Sequence, residues 1–205
     1  MPPSKIILRP ATYADADPLA RLWMATFADK FGPVFGKNAQ LIIRDWLRLS
    51  RRHLQTTVIA EVEGAVAGFV VLETPASPPP DDGRWLWHAL QLHYGIIGAV
   101  RCLLLLLLID DTYRVAQDEI YIEMLGVDPE WQRRGVARQL LQHAETVAAQ
   151  AASQRLTLKV VTDNLAALRV YKKAGFVVRC EHHSRVYRWI TGHPGYYEME
   201  KIVGT

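Results

Sequence analysis

Apolar and polar positions along the chain alternate between two periods, and the switches between them mark the predicted elements. Residues 5–9, KIILR, read as a short strand, and Arg9-Pro10-Ala11-Thr12 turns it into a helix from about Asp15 to Phe27, with Leu19, Leu22, Trp23 and Phe27 at helical spacing. FGPVFGKN reads as a Gly-Pro loop, followed by a second helix from about Ala39 to Ser50 carrying Leu41, Ile42, Asp45, Trp46 and Leu49. Arg48, Arg51 and Arg52 suit the negative pole of that helix and are expected to be a solvated helix end rather than a binding patch. TTVIAEVE and AVAGFVVLE, joined at Glu63-Gly64, predict a β-hairpin. TPASPPPDDG then marks an exposed loop, because its prolines suppress regular structure.

Residues 84–116 form an apparent insertion rich in Trp, Leu and Ile, and GIIGAVRCLLLLLLIDD is its most apolar run. A membrane-spanning helix needs about 20 nearly uncharged residues, whereas Arg101 interrupts this run and Asp110 and Asp111 end it. No membrane partner is therefore expected. A helix apolar on all sides is expected to be covered by protein, either across the sheet or by a second copy in a homodimer.

The second half is read most sharply. EIYIEMLGV is a strand rich in β-branched and aromatic residues, broken by Gly126 and stopped by Asp128-Pro129. Arg133, Arg134 and Gly135 lead into an amphipathic helix to about Ala152, with Val136, Leu140, Leu141, Ala144, Val147, Ala148 and Ala151 along one side. Backbone N–H groups at such a turn, added to the positive end of a helix, make a pocket for a phosphate or pyrophosphate; the plainer alternative is a glycine easing a tight turn into the helix. LTLKVV is a largely apolar strand, as expected of one covered on both faces. Asn164 and Tyr171, seven residues apart, share one face of a helix that stops at Gly175. FVVRCEHH and GYYEMEKI close the sheet.

The strand ending in Leu125-Gly126-Val127, the Gln132-x-x-Gly135-x-Ala137 loop, the next strand, and the Asn164…Tyr171…Gly175-Phe176 helix together resemble the GNAT superfamily of acetyl-CoA-dependent N-acetyltransferases. The clear likeness covers about residues 118–180. It implies an α/β fold: a mixed, mostly antiparallel sheet of about seven strands flanked by helices, in a single domain over residues 1–205, with a helical insertion between strands three and four. It also implies acetyl-CoA as cosubstrate. Strands four and five part at their ends, and the pantetheine arm lies between them against Leu125, Gly126 and Val127, with a backbone N–H near Leu125 donating to the thioester oxygen. Gln132, Arg133, Arg134, Gly135, Val136, Ala137 and Arg138 would hold the pyrophosphate, and Asn164 would contact the CoA arm while capping its helix. Each of Arg133 and Arg134 is open between a phosphate contact and a solvated side chain.

Acyl transfer to an amine also needs a base and an acid. The family's base often sits on the fourth strand, where Tyr121 and Glu123 share a face. Glu123 is the candidate base, on the expectation that a half-buried carboxylate has a raised pKa and takes a proton from a primary amine of pKa roughly 10. The alternatives for it are a contact to the substrate ammonium or an arginine pair. Tyr171 matches the tyrosine that approaches the CoA sulfur, and its phenol would hydrogen-bond or protonate a departing thiolate of pKa nearer 8.5, unless it is only a packed aromatic. Gly126 fits a bulge or a close approach.

Composition narrows this reading. With half of its 205 residues apolar, 22% charged and a formal net charge of +3, the chain is globular, and without a basic run interleaved with aromatics extended nucleic-acid binding is not expected. Cys102 and Cys180 show no metal or redox spacing and lie outside the motifs, which favours direct attack in a ternary complex over an acetyl-cysteine intermediate. His88, His93, His182 and His183 are candidates to line an acceptor site, and no metal site is expected because they lack ligand-spaced partners. MPPSKIILRP lacks the apolar core of a signal peptide, so cytoplasm is the expected location. The acceptor is expected to be a small-molecule or peptide amine. The other reading left open is a non-catalytic CoA-binding or sensing module. Walker and dinucleotide-binding loops do not match, because Val136-Ala137 follows Gly135 and no Gly-x-Gly-x-x-Gly occurs.

Overall fold

Seven strands, β1 (Ile6–Pro10), β2 (Thr57–Val62), β3 (Ala65–Glu73), β4 (Glu119–Val127), β5 (Arg155–Val161), β6 (Val177–His183) and β7 (Gly195–Ile202), form one sheet in the order β1-β2-β3-β4-β5-β7-β6. The structure is a computed structural model that describes residues 5–78, 82–109 and 113–203. Among the described strands only β4 and β5 run parallel; the other neighbours are antiparallel. The β2–β3 hairpin turns at Glu63 (φ 53°) and Gly64 (φ 79°), the left-handed pair that a tight hairpin requires. This is the turn read from the sequence.

Helices α1 (Ala16–Phe35), α2 (Ala39–Leu49), α3 (Arg51–Thr56), α4 (Asp82–Ile109), α5 (Val136–Gln150), α6 (Leu165–Lys173) and α7 (Arg185–Thr191) cover the sheet. Successive β3 side chains point to opposite faces. Phe69 and Val71 join the core beneath α1, α2 and α4, whereas Val70 and Leu72 join the core beneath α5 and α6. β3 is therefore buried on both sides, which explains its unbroken apolar run.

Several expectations change. FGPVFGKN is not a loop: α1 kinks at Phe27 (φ −128°, ψ 33°) and then continues through Gly32 and Pro33 to Phe35. Pro33 removes an intrahelical hydrogen bond, but the extension buries Phe31, Val34 and Phe35, and Phe31 stacks on Trp23 at 5.8 Å. Burial outweighs the local propensity there. Arg52 is not solvated, since it pairs with the buried Glu73 at 2.6 Å, while Arg48 reaches Asp17 at 2.5 Å. Helices α3 and α7 were not anticipated.

The insertion is helical, as predicted, but it is not covered on all sides. α4 bends at Gly95 (φ 64°, ψ −173°) and buries Leu86, Ala89, Leu90, Ala99, Cys102 and Ile109 in the core shared with α1 and α2. Those helices occupy the face of the sheet, so α4 packs on their flank and its opposite side faces outward with Leu92, Ile96, Ile97, Leu104 and Leu107 exposed. Met1–Ser4, Pro79–Asp81 of the proline-rich loop, and Asp110 and Asp111 lie outside the described residues.

β1 is tied to the start of α1 by charge. Both Arg9 terminal nitrogens reach the Asp15 carboxylate at 2.8 Å, and the Arg9 Nε donates to Glu61 at 2.7 Å. The Arg9 hydrogen bonds hold the nearly buried Asp15 carboxyl down at about 2, against burial that would raise it.

Candidate functional site

The site begins where two strands stop pairing. The β4–β5 ladder runs from Glu119↔Arg155 to Ile122↔Leu158; beyond that, β4 continues to Val127 against β3, and β5 continues to Val161 against β7. Glu123 sits at the point of parting as an extra residue, because Val71 faces Met124 and Leu72 faces Ile122. A bulge bends and twists its strand, and here it turns β4 away from β5. The bulge falls at Glu123 rather than at Gly126. Gly126 is instead a close-approach residue: a Cβ there would stand 2.5 Å from Phe69 Cε1 and 3.0 Å from Thr26 Oγ1.

A cavity of about 980 Å³ opens between the end of β4, the start of α5 and α6. Leu125, Val127, Gln132, Arg133, Gly135, Val136, Ala137, Arg138, Asn164 and Tyr171 line it. Arg133 (φ 61°) and Gly135 (φ 88°) are both left-handed, and no side chain caps α5 among the described residues, so the first N–H groups of that helix remain for an anion. Two sequence candidates stand apart from the lining. Gly126 faces Phe69, and Arg134 lies over the Trp131 ring at 4.9 Å. Arg169, Lys173 and Lys201 also line the cavity, the last paired with Glu145 at 2.7 Å. The four-residue spacing of Arg169 and Lys173 on the helix of Tyr171 was the signal for the first two. The residues present suit a nucleotide diphosphate: an uncapped helix end, small side chains at Gly135 and Ala137, and a cationic rim.

A smaller cavity of about 200 Å³ lies on the other side of the parted strands. Glu123, Tyr121, Asp29, Lys159, Tyr187, His193 and Tyr196 line it, and Thr26, Leu125, Asn164, Ala167 and Tyr171 belong to both cavities. Glu123 is exposed rather than half-buried, because the bulge lifts it out of the packed alternation of β4. Tyr171 is only 8% exposed, and burial pushes its phenol up to about 12. Asn164 caps α6 by accepting from the Ala167 N–H at 3.0 Å, and Gly175 (φ 93°) follows the end of that helix.

His193 is the histidine that lines the smaller cavity, and sequence reasoning missed it. Its Nδ1 meets Asp163 at 2.7 Å and its Nε2 meets Asp29, so it bridges α1 to the turn before Asn164. Burial alone would lower its pKa, but hydrogen bonds with Asp163 and then Asp29 outweigh that and raise it. None of the four expected histidines lines either cavity. His88 lies tilted against Trp85 with ring centroids 5.9 Å apart, His93 meets Asp45 at 2.8 Å, His182 meets Glu198 at 3.3 Å and His183 meets Glu181 at 3.0 Å. The two cysteines are free, Cys102 buried and Cys180 exposed on β6, and neither touches the cavities.

The sequence model described as the Acetyltransferase (GNAT) family matches residues 19–176. No curated protein sequence matches the chain significantly. Among solved structures, an acetyltransferase superposes with a TM-score of 0.67 at 24% identity, over 97% of this chain and 100% of that one. The ribosomal-protein-S18-alanine N-acetyltransferase from Escherichia coli gives 0.60 at 16% identity, over 98% and 96%. The PaiA N-acetyltransferase from Thermoplasma acidophilum, in complex with coenzyme A, gives 0.61 at 14% identity, over 97% and 99%. At these identities the likeness is one of fold.

Proposed function

The chain belongs to the acetyltransferase (GNAT) family, and from that premise we propose that it moves an acetyl group from acetyl-CoA to a primary amine, in the cytoplasm, by direct attack in a ternary complex. The observation that carries this reading is Tyr171, a buried phenol shared by a large cationic cavity and a small carboxylate-bearing one. The N–H groups at the start of α5, with Arg133 and Arg138, bind the diphosphate. The parted edge of β4 at Leu125 and Val127 receives the pantetheine arm, and the Leu125 N–H donates to the carbonyl oxygen as negative charge builds on it. Acetyl-CoA supplies the acyl group and a thiol leaving group.

The acceptor amine occupies the smaller cavity. Glu123 takes one proton from the attacking nitrogen as the C–N bond forms. As the C–S bond breaks, the Tyr171 O–H donates a hydrogen bond to the departing sulfur, which takes up a proton from water as CoA leaves. A phenol held near 12 is fully protonated at neutral pH, so it is present as that donor. The aromatic walls from Tyr121, Tyr187 and Tyr196 limit the space around the nitrogen.

The test is CoA release measured over a panel of amines, comparing the wild type with Tyr171→Phe and Glu123→Gln. Each substitution is expected to lower kcat by about 100-fold or more, as removal of a positioned hydrogen-bond donor or base does, with folding and CoA-dependent thermal stabilisation retained. Near-normal rates in both variants would remove the assigned roles. Stabilisation by acetyl-CoA without transfer to any amine would favour a binding module.

A further inference from the structure

Catalysis makes no use of the outer face of α4. By length and composition Gly83–Ile109 qualifies to cross a bilayer, yet only 17% of its most apolar window is buried. Ile97 is 87% exposed, Leu107 75%, Leu92 74% and Ile96 65%, and Val100, Leu104 and Leu108 continue the same side at three- and four-residue spacing. A patch of this extent marks an interaction site. We propose that this face lies in the interfacial layer of an anionic lipid bilayer and holds the protein flat on the membrane surface.

Three observations select that occupant. First, spanning is excluded by shape: the bend at Gly95 leaves residues 96–109 as one straight piece, which at 1.5 Å per residue reaches about 21 Å, short of the roughly 30 Å hydrocarbon core. One side of that piece is committed to the protein core through Ala99, Cys102 and Ile109. Such a helix lies in the plane of the interface instead.

Second, the charges within the exposed apolar stretch have one sign, the acids Asp82, Asp110 and Asp111 falling outside it in the sequence. Between Gly83 and Ile109 the charged residues are Arg84 and Arg101, and α7, which packs on α4, adds exposed Arg185 and Arg188 with no carboxylate. α7 also presents Trp189, 81% exposed, a side chain suited to the headgroup boundary. Anionic headgroups complement this set. An arginine amid apolar neighbours can extend its guanidinium to the phosphates while its stem stays in the acyl region.

Third, the same charges disfavour a second copy. A two-fold pairing is self-complementary, and centred on residues 96–109 it brings the two copies of Arg101 together with no acid between residues 83 and 109 of either copy to relieve them.

Flotation of the full chain tests this, with vesicles of phosphatidylcholine mixed with phosphatidylglycerol, and of phosphatidylcholine alone. The protein is expected to float with the mixed vesicles, to float far less with the neutral ones, and to detach as salt is raised. Ile97→Glu combined with Leu104→Glu alters exposed side chains only, so its melting temperature and its stabilisation by CoA should stay at wild-type values while binding to the mixed vesicles falls at least about tenfold. Arg101→Glu should weaken binding to the mixed vesicles and leave the neutral ones unaffected. Absence of flotation with either vesicle overturns the proposal, as does equal flotation with both. A protein that stays in the dense fraction and sediments as a dimer, separated by the double substitution, assigns the face to a second copy instead.

Discussion

Gly126→Ala should destabilise the protein, chiefly through one contact. The residue's φ is not in the left-handed region, so alanine meets no backbone penalty there. A glycine-to-alanine change at a compatible position ordinarily stabilises by about 0.4–1 kcal/mol, through the unfolded chain. Here the new Cβ would stand 2.5 Å from Phe69 Cε1 and 3.2 Å from Cζ, whereas carbons settle at about 3.5–4.0 Å. The ring would have to retreat by roughly 1 Å. It has nowhere to go, because Phe69 is fully buried, stacked on Trp23 at 5.8 Å and edge-on to Phe27 at 6.4 Å. Overpacking of this kind costs about 1–3 kcal/mol. For a chain of this length about 2 kcal/mol lowers Tm by roughly 4–8 °C. Thermal and urea melts of the wild type, Gly126→Ala, Phe69→Leu and the double variant make the assay. Removing the ring edge should return most of the loss, giving a coupling of about 1 kcal/mol or more. A neutral or stabilising Gly126→Ala in the wild-type background, or an equal cost in both backgrounds, would refute the reasoning.

Two further outcomes follow from charge. Asp15 has its carboxyl lowered from 3.8 to about 2 in the fold; its stabilisation is therefore complete above pH 3.8 and lost as pH falls toward 2, a loss of about 2 kcal/mol. Asp15→Asn should start less stable and show a shallower acid limb in melts from pH 5 to about 2; a limb as steep as the wild type's would contradict the role of the Arg9 pair. Ala137→Glu places a carboxylate in the first turn of α5, where the free protein should gain about 0.3–1 kcal/mol. The same charge would face the diphosphate in its proposed site, so CoA affinity by calorimetry should fall at least about tenfold, and unchanged affinity would remove that end of α5 as the anion site.

What the sequence made legible was local. The β2–β3 hairpin follows from Glu63-Gly64, the helix stop from Gly175, and the strand, turn and helix from Glu119 to Gln150 from patterns within a few residues of one another. Features set by distant partners were not legible. Gly32-Pro33 looks like a break until Phe31 finds Trp23, and Arg52 looks solvated until Glu73 arrives from the end of β3. His193 carries no motif, and its contact with Asp29 joins opposite ends of the chain. The bulge at Glu123 depends on how β3 pairs with β4, which alternation within one strand cannot reveal.

Leu125, Asn164 and Tyr171 form a party wall, one partition between the cavity proposed for CoA and the cavity proposed for the amine. A single molecule reaching through it, a CoA whose sulfur is tethered to an amine by a short bridge, would surrender its freedom of tumbling once where two separate ligands surrender it twice. Such a two-headed compound should outbind CoA and the amine taken singly, with a linker optimum that reports the thickness of the partition.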